Sequence, residues 1–69
     1  MKELREYRES KKWTQEELAK KCGVKRSAIG MWENGERKPD IIMLKRLACI
    51  LDCTTDDLLA SIPVPDVKI

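Results

Sequence analysis

Histidine is absent from this 69-residue sequence, and its three cysteines form no C-x-x-C pair. Without an imidazole, a nucleophile–base pair would have to be assembled from scattered Ser, Thr and Cys side chains. Cys22, Cys49 and Cys53 are too few to supply the four sulfur or nitrogen ligands of a structural zinc site. We therefore predict that the protein is not an enzyme, that it uses no metal and no cofactor, and that its cysteines are buried, reduced thiols.

Long apolar runs are missing as well. The two longest, residues 41–44 and 47–51, are separated by Lys45 and Arg46, and each is far shorter than the ~20 residues of a transmembrane helix. Charged residues follow Met1 directly, which is unlike a secretory signal peptide. We expect a cytoplasmic protein that does not contact membranes, and no small-molecule site is evident.

The residues that are present favour one small, charged domain. Hydrophobic residues make up 42% of the chain and charged residues 38%, which is apolar enough for folding and too aliphatic for a disordered tail. Residues 1–38 contain eleven Lys or Arg and seven Glu, a net charge of +4, whereas residues 39–69 contain three Lys or Arg and five Asp, a net charge of −2. The basic first half suits a polyanionic partner.

Local capping motifs predict where the second and third helices begin and end. Thr14 and Glu17 form a T-x-x-E capping box, so that a helix begins at Gln15. Gly23 supplies the left-handed residue that ends this helix. Gly23, Val24 and Lys25 form a three-residue turn, and the next helix extends towards Gly35. Two helices joined by so short a turn have the spacing of a helix-turn-helix.

Similar motifs bound the rest of the chain. Asp40 is an N-cap for a fourth helix, and Thr54 with Asp57 repeats the capping box at the start of a short fifth helix. A charged helix with an apolar stripe precedes them all. The pattern predicts an all-α domain of five helices over residues 1–60, followed by an extended tail over residues 61–69 that contains two prolines.

The segment from Trp13 to Pro39, WTQEELAKKCGVKRSAIGMWENGERKP, resembles the phage repressors, Cro proteins and xenobiotic-response-element (XRE) regulators. The resemblance covers roughly residues 1–60 and is most specific in TQEELA, GV-x4-I and WENGERKP. It implies a five-helix, lambda-repressor-like fold with helices 2 and 3 as the helix-turn-helix. It also implies a transcription regulator, which we expect to be a repressor, that binds a double-stranded DNA operator sequence-specifically with helix 3 in the major groove.

The start of helix 3 departs from ordinary capping preferences. Ser, Thr, Asp or Asn is favoured at the cap and acidic residues in the first turn, but this chain has Lys25 and Arg26 there. Each of these charges is unfavourable against the helix dipole by about 0.3–1 kcal/mol. An approaching phosphate or guanine edge would reverse that sign. A basic surface turn with no ligand is the alternative interpretation.

The resemblance assigns base contacts to Lys25, Arg26, Ser27 and Met31. Arg26 would donate two hydrogen bonds to guanine O6 and N7, Ser27 would bond several bases, and Met31 would pack on a thymine methyl. A flexible core side chain is an equally good interpretation of Met31. The role of Gly30 is not assigned. A glycine inside a helix costs about 0.5–1 kcal/mol relative to alanine, and one explanation for it is close approach of the backbone to the groove floor or to a base methyl.

Phosphate contacts are expected at Gln15, Asn34, Arg37 and Lys38. Gln15 begins helix 2, where unpaired N–H groups and the helix dipole already favour an anion. Arg37 and Lys38 lie past the end of helix 3, where they would contact the sugar–phosphate backbone without conveying sequence information. An ordinary solvated surface residue is the alternative at each position.

One further pair is implied by the resemblance. Glu33 matches the family's acidic residue in helix 3, and Arg8 occupies the place of its partner in helix 1. We expect an ion pair that orients helix 3 and does not itself contact DNA.

Apolar residues in excess of a core suggest self-association. Ile42, Cys49 and Ile50 occupy positions that relatives often fill with polar or small residues, and Val64 and Val67 follow in the tail. We predict a homodimer formed through helices 4 and 5 and the tail. Partial burial of helix 4 under the tail is the alternative.

A different class of function is also open. A protein-interaction module, such as an antitoxin or an adaptor that docks another regulator, could keep the same fold. Such a module does not need the cationic face made by Lys25, Arg26, Arg37 and Lys38, so this face favours DNA as the partner.

Overall fold

The computed structural model describes residues 1–60, which form five helices and contain no strand. The helices are α1 (Lys2–Ser10), α2 (Gln15–Cys22), α3 (Arg26–Asn34), α4 (Ile41–Leu51) and α5 (Thr55–Leu58). The predicted all-α, five-helix architecture is confirmed. The extended tail predicted for residues 61–69 lies outside the described residues, and the domain boundary at residue 60 stays a prediction.

Every helix contributes to a single apolar core. The fully buried aliphatic side chains are Leu4 of α1, Leu18 of α2, Ile29 of α3, Leu47 and Leu51 of α4, and Leu58 of α5. Burying one such side chain stabilises the fold by about 1.5–3 kcal/mol. Helices of this length are marginal in water by themselves, so their packing against one another holds them in place.

Side-chain caps begin three of the helices as predicted. Thr14 Oγ1 accepts a hydrogen bond from Glu17 N at 3.1 Å, and Glu17 Oε1 accepts one from Thr14 N at 3.2 Å. Asp40 Oδ1 accepts from Met43 N at 2.8 Å at the start of α4. At the start of α5, Thr54 and Asp57 form the second reciprocal box.

A left-handed glycine sets the angle between α2 and α3. Gly23 has φ 73°, which glycine adopts without steric cost, and Val24 N then donates to Ala19 O at 3.0 Å. The chain reverses and α3 packs against both α2 and α1. Arg46 Nη1 of α4 donates to Cys22 O at 3.2 Å, which ties α4 to the end of α2. This arrangement leaves one side of α3 outside the core.

The outer surface of α4 differs in part from the prediction. Ile42 is 70% exposed and Cys49 is exposed, as expected for surplus apolar residues. Ile50 is partly buried and packs against the core, so it contributes less apolar surface than Ile42 and Cys49. Ile41, which the sequence did not single out, is 71% exposed. Val64 and Val67 lie outside the described residues.

Two further predictions concern cysteine burial and membrane contact. Cys22 is buried, but Cys49 is exposed and Cys53 is partly buried, so the prediction of three buried thiols is correct only for the first. Burial raises the pKa of the Cys22 and Cys53 thiols. Across residues 1–60, no helix is both long enough and apolar enough to span a bilayer.

Candidate DNA interface

The N-terminus of α3 is open and cationic. Its N-cap residue, Lys25, has extended backbone geometry and makes no side-chain cap hydrogen bond within the described part of the chain. No acidic residue lies in the first turn, and Lys25, Arg26 and Ser27 are all exposed. The unpaired N–H groups and the helix dipole add to the two side-chain charges. This end of α3 is therefore a strongly positive, accessible surface.

A chain of hydrogen bonds lies behind that surface and links three helices. Arg8 Nε donates to Glu33 Oε2 at 2.7 Å, and Arg8 Nη2 donates to Glu33 Oε1 at 3.3 Å. Gln15 Nε2 donates to the same Glu33 Oε1 at 3.0 Å. Arg26 Nε donates to Gln15 Oε1 at 3.5 Å. The predicted Arg8–Glu33 pair is confirmed, and it extends through Gln15 to the cationic end of α3.

The Arg8–Glu33 pair is almost completely buried. The Glu33 side chain is 3% exposed and that of Arg8 is 11% exposed. The hydrogen bond to Glu33 is the main cause that raises the pKa of the Arg8 guanidinium above its ordinary value. Arg8 Nη1 also donates to Trp13 O at 2.6 Å. The negative charge of Glu33 is thus compensated inside the protein, and it therefore repels an approaching anion only weakly.

The amide of Gln15 has a fixed orientation that the sequence did not predict. Its nitrogen faces Glu33 and its oxygen faces Arg26. An amide nitrogen carries two hydrogens, so one remains for a further acceptor beside the start of α2. A phosphate role for Gln15 is compatible with this orientation and stays a prediction.

Two lysines lie near the aromatic ring of Trp13, in the turn before α2. Lys11 Nζ lies 5.7 Å and Lys21 Nζ 4.6 Å from the centre of the Trp13 ring, distances at which a cation is attracted to the ring face. Lys12, which precedes the ring, has φ 61°. These contacts lie directly before Thr14, the residue that caps α2.

The remaining predicted residues lie further along α3 and in the loop after it. Met31 is partly buried, but it is not among the side chains that pack against the core of residues 1–60. Asn34, at the end of α3, is exposed, and so are Arg37 and Lys38 in the loop that leads to α4. Gly35 ends α3 with φ 80°. The structure brings Gln15 and Arg26 into contact, whereas Arg37 and Lys38 lie in the loop after α3.

A recess on the outer side of α3 was missed by sequence reasoning. It has a volume of about 430 Å³ and is lined by Gln15, Arg26, Ser27, Gly30 and Asn34. Four of these residues were predicted individually, and Gly30 was noted as unusual. The recess itself depends on how α2 and α3 cross, which no local motif shows.

Comparison with known proteins identifies the family. A sequence model of the helix-turn-helix family (HTH_3) matches residues 4–58. The uncharacterized HTH-type transcriptional regulator YobD of Bacillus subtilis is 36% identical over 66 residues, which are 96% of this chain and 59% of that protein. The HTH-type transcriptional activator BcrR of Enterococcus faecalis is 39% identical over 57 residues, which are 83% of this chain and 28% of that protein. The chain thus spans little more than half of the first relative and under a third of the second.

Solved structures agree with the sequence match. The biofilm master regulator SinR in complex with DNA superposes with a TM-score of 0.77 at 30% identity, covering 84% of this chain and 97% of that one. The restriction-modification controller protein C.AhdI from Aeromonas hydrophila also has a TM-score of 0.77, at 37% identity, covering 83% of this chain and 86% of that one. With its family match, its relatives and its fold in agreement, the chain belongs to the helix-turn-helix family of transcriptional regulators.

Proposed function

We propose that this chain binds duplex DNA sequence-specifically, with α3 in the major groove, as the DNA-binding domain of a transcription regulator. The observation that carries the proposal is the open, cationic start of α3, where Lys25 and Arg26 replace the usual cap and acidic first turn. DNA supplies the negative charge that this helix end is missing. SinR, whose fold is similar, is a protein solved in complex with DNA. The relatives are named as transcriptional regulators, which agrees with the prediction that the chain is not an enzyme.

Arg26 is the main candidate for base recognition. Its Nε is engaged by Gln15 Oε1, which leaves the two terminal nitrogens for the O6 and N7 acceptors of one guanine. A guanidinium held from behind loses less conformational entropy when it forms this pair. Lys25, Ser27 and Met31 complete the set of proposed base contacts.

The proposed phosphate contacts lie around this face. Gln15 is at the N-terminus of α2, Asn34 is at the end of α3, and Arg37 and Lys38 are exposed in the following loop. Each would position the domain without selecting a base. Their exposure and charge support the assignment.

Selection of bound sequences from a random duplex library tests the proposal. We expect one enriched motif, with a guanine at a position where the Arg26→Ala variant loses its preference. A library that shows no enrichment after repeated rounds would overturn sequence-specific binding.

We also propose that the protein dimerises through α4 and α5. Half-sites on one face of DNA lie about 34 Å apart, so two copies must hold their α3 helices at that spacing. The exposed Ile41, Ile42 and Cys49 of α4 form an apolar surface that supports this interface. Residues 61–69, also predicted to take part, lie outside the described residues.

Sedimentation of the full chain tests the dimer. We expect the wild type and Ile42→Leu to form dimers and Ile42→Lys to remain monomeric, while all three bind a single half-site. Equal association of the leucine and lysine variants would show that this surface of α4 is not the interface.

Repression in the cytoplasm is the proposed outcome of DNA binding. A dimer bound across a promoter excludes other proteins from it, and the DNA of a bacterial or phage-type regulator lies in that compartment. A reporter driven by the selected operator should rise in activity when the gene for this protein is removed. A fall would identify an activator instead, the class in which BcrR is named.

A protein-interaction module is the second candidate function. The exposed pair Ile41 and Ile42 favours it, because a protein partner such as a toxin or another regulator could cover that surface. An adaptor of this kind leaves the cationic end of α3 unused. Replacement of Arg26 and Lys25 by alanine would then leave partner binding unchanged, and the duplex library would show no enriched motif.

A further inference from the structure

Gly30 lies in the middle of α3, where nothing in its backbone calls for glycine. The glycines with positive φ in the described residues are Gly23 and Gly35, so Gly30 has a conformation that any residue adopts. A glycine inside a helix is unfavourable relative to alanine. The reason for this glycine is therefore not conformational.

Crowding does not explain it either. A Cβ atom added at Gly30 would meet only Gln15 Nε2, at 3.9 Å, which is an ordinary van der Waals distance. An alanine would fit the folded protein and would favour the helix. What an alanine would remove is open space in the recess between α2 and α3.

Each polar side chain around that space can donate hydrogen bonds. Gln15 and Asn34 contribute side-chain amides to the lining, Ser27 contributes a hydroxyl, and Arg26 contributes a positive charge. No carboxylate lines the recess in the part of the chain that the structure describes. The Glu33 carboxylate behind it is already occupied by Arg8 and Gln15. Donors with one full positive charge are complementary to an anion of one negative charge.

We propose that Gly30 is a positioning residue that keeps this recess open for one backbone phosphate of the DNA, so that α3 lies closer to the groove. The inference rests on the proposed function, because the phosphate belongs to the duplex that α3 binds. A phosphate fits better than a base edge, because the described lining carries the positive charge of Arg26 and no carboxylate, and a phosphate is charged whereas a base edge is not. Glycine makes the helix less stable than alanine would, and tighter DNA binding offsets this loss.

The substitution Gly30→Ala separates this role from a structural one. We expect its melting temperature to rise by about 2–8 °C, because the helix gains propensity without a clash. We expect its affinity for DNA to fall about tenfold, as when one charge-assisted hydrogen-bonded contact is lost. Because a phosphate conveys no sequence, the selected operator and a random duplex should be affected alike. The salt dependence of binding should become shallower by about one ion.

Two controls sharpen the result. Ser10→Ala changes an exposed helical residue outside the recess and should leave DNA affinity as in the wild type. Methylphosphonate substitution, one position at a time along the operator, should reveal one phosphate whose neutralisation weakens the wild type but not Gly30→Ala. That pattern would place the phosphate in the recess.

Several results would overturn the proposal. Unchanged affinity of Gly30→Ala, with the wild type binding its operator normally, would leave the DNA-binding function intact and eliminate only the role of Gly30. A loss confined to the operator, with random duplex unaffected, would place a base edge in the recess. A lower melting temperature would show that the space for a Cβ atom is not there. Failure of the wild type to bind any duplex would instead refute the proposed function.

Discussion

Helices α2 and α3 lie side by side, yet their N-termini are built in opposite ways. α2 begins with the reciprocal Thr14–Glu17 box and has two glutamates in its first turn. Side-chain caps also begin α4 and α5. α3 begins at Lys25 with no side-chain cap bond among the described residues, and its first turn is basic instead of acidic. Among α2 to α5, the helix whose start is assigned to DNA is therefore the one without a side-chain cap in the described part of the chain.

The difference shows where the stability of each helix comes from. α2 satisfies its first N–H groups within its own turn, which needs only residues three apart. α3 depends on contacts from other helices, through the buried Ile29 and Trp32 and through the ion pair of Glu33 with Arg8. A helix that is stabilised by contacts on its core-facing side keeps its N-terminus available for a ligand. Changes that strengthen or weaken either kind of support should therefore affect stability and DNA binding differently.

Breaking the Arg8–Glu33 ion pair, which supports α3 from another helix, should have the largest effect on the free energy of unfolding. Arg8→Met leaves the carboxylate of Glu33 buried without its main partner, which typically destabilises a protein by about 3–5 kcal/mol. Urea unfolding measures this change in the free energy of unfolding. The double variant Arg8→Met with Glu33→Leu should recover much of the loss, because no unpaired charge remains. A single variant within about 1 kcal/mol of wild type, as for a surface ion pair, would contradict the tertiary role.

Removing an exposed charge proposed to contact DNA should have the next largest effect, and this effect is on DNA binding. Arg26→Ala should cost about 1–3 kcal/mol of binding free energy on the operator and relax the preference at one base position. Arg37→Ala should weaken operator and random duplex alike and lower the salt slope by about one ion. Fluorescence anisotropy at several salt concentrations measures both. Equal effects of the two variants on the ratio of specific to nonspecific affinity would show that α3 is docked differently.

Removing the cap of α2 and adding a cap to α3 should change the free energy of unfolding in opposite directions. Thr14→Ala removes a cap and should lower the free energy of unfolding by about 1 kcal/mol. Lys25→Ser supplies a cap where the chain has none and should raise it by up to about 1 kcal/mol, while DNA affinity falls. Urea unfolding and DNA titration of both variants check this. A destabilised Lys25→Ser protein would mean that the start of α3 already has a cap of its own.

The smallest effect should be a pH dependence at the start of α5. Hydrogen bonds from the backbone and side chain of Thr54 lower the pKa of the Asp57 carboxyl. A carboxyl with a depressed folded-state pKa stabilises the fold above its unfolded pKa, and that stabilisation is lost as pH falls through the folded value. The unfolded value is about 3.9.

The comparison variant for this effect is Asp57→Asn. Wild type should be the more stable of the two at pH 6, and the difference should shrink as pH falls below about 4. Urea midpoints measured between pH 6 and pH 3 test it. A difference that is constant over this range would show that the Asp57 charge does not stabilise the capping box.

Local motifs made much of the fold predictable. The starts of α2, α4 and α5 and the turn at Gly23 were predicted correctly, because caps and left-handed residues act over three or four positions. The buried Leu18, Ile29 and Leu47 lie on the apolar stripes of their helices. The Arg8–Glu33 pair was expected from the family resemblance, not from any local pattern.

Features that depend on contacts between helices could not be predicted from the sequence. Ile50 and Ile41 have the same side-chain chemistry, yet one packs against the core and the other is 71% exposed, since burial depends on which neighbouring helix lies above each position. Gln15 is 18 residues from Glu33 in the chain and within 3.0 Å of it in the fold.

The amino-acid sequence by itself determined the five helices, their caps and the misplaced charges at the start of α3, because those depend on residues a few positions apart. Only the tertiary structure decided that Glu33 joins Arg8 and Gln15, that Gln15 accepts a hydrogen bond from Arg26, and that Gly30 lines a recess beside them. Hydrogen bonds across 25 and 18 residues form only where the crossing of α1, α2 and α3 brings their partners together. The positions at which the helices begin and end are encoded locally in this chain, whereas the surface assigned to DNA arises from the way three helices pack.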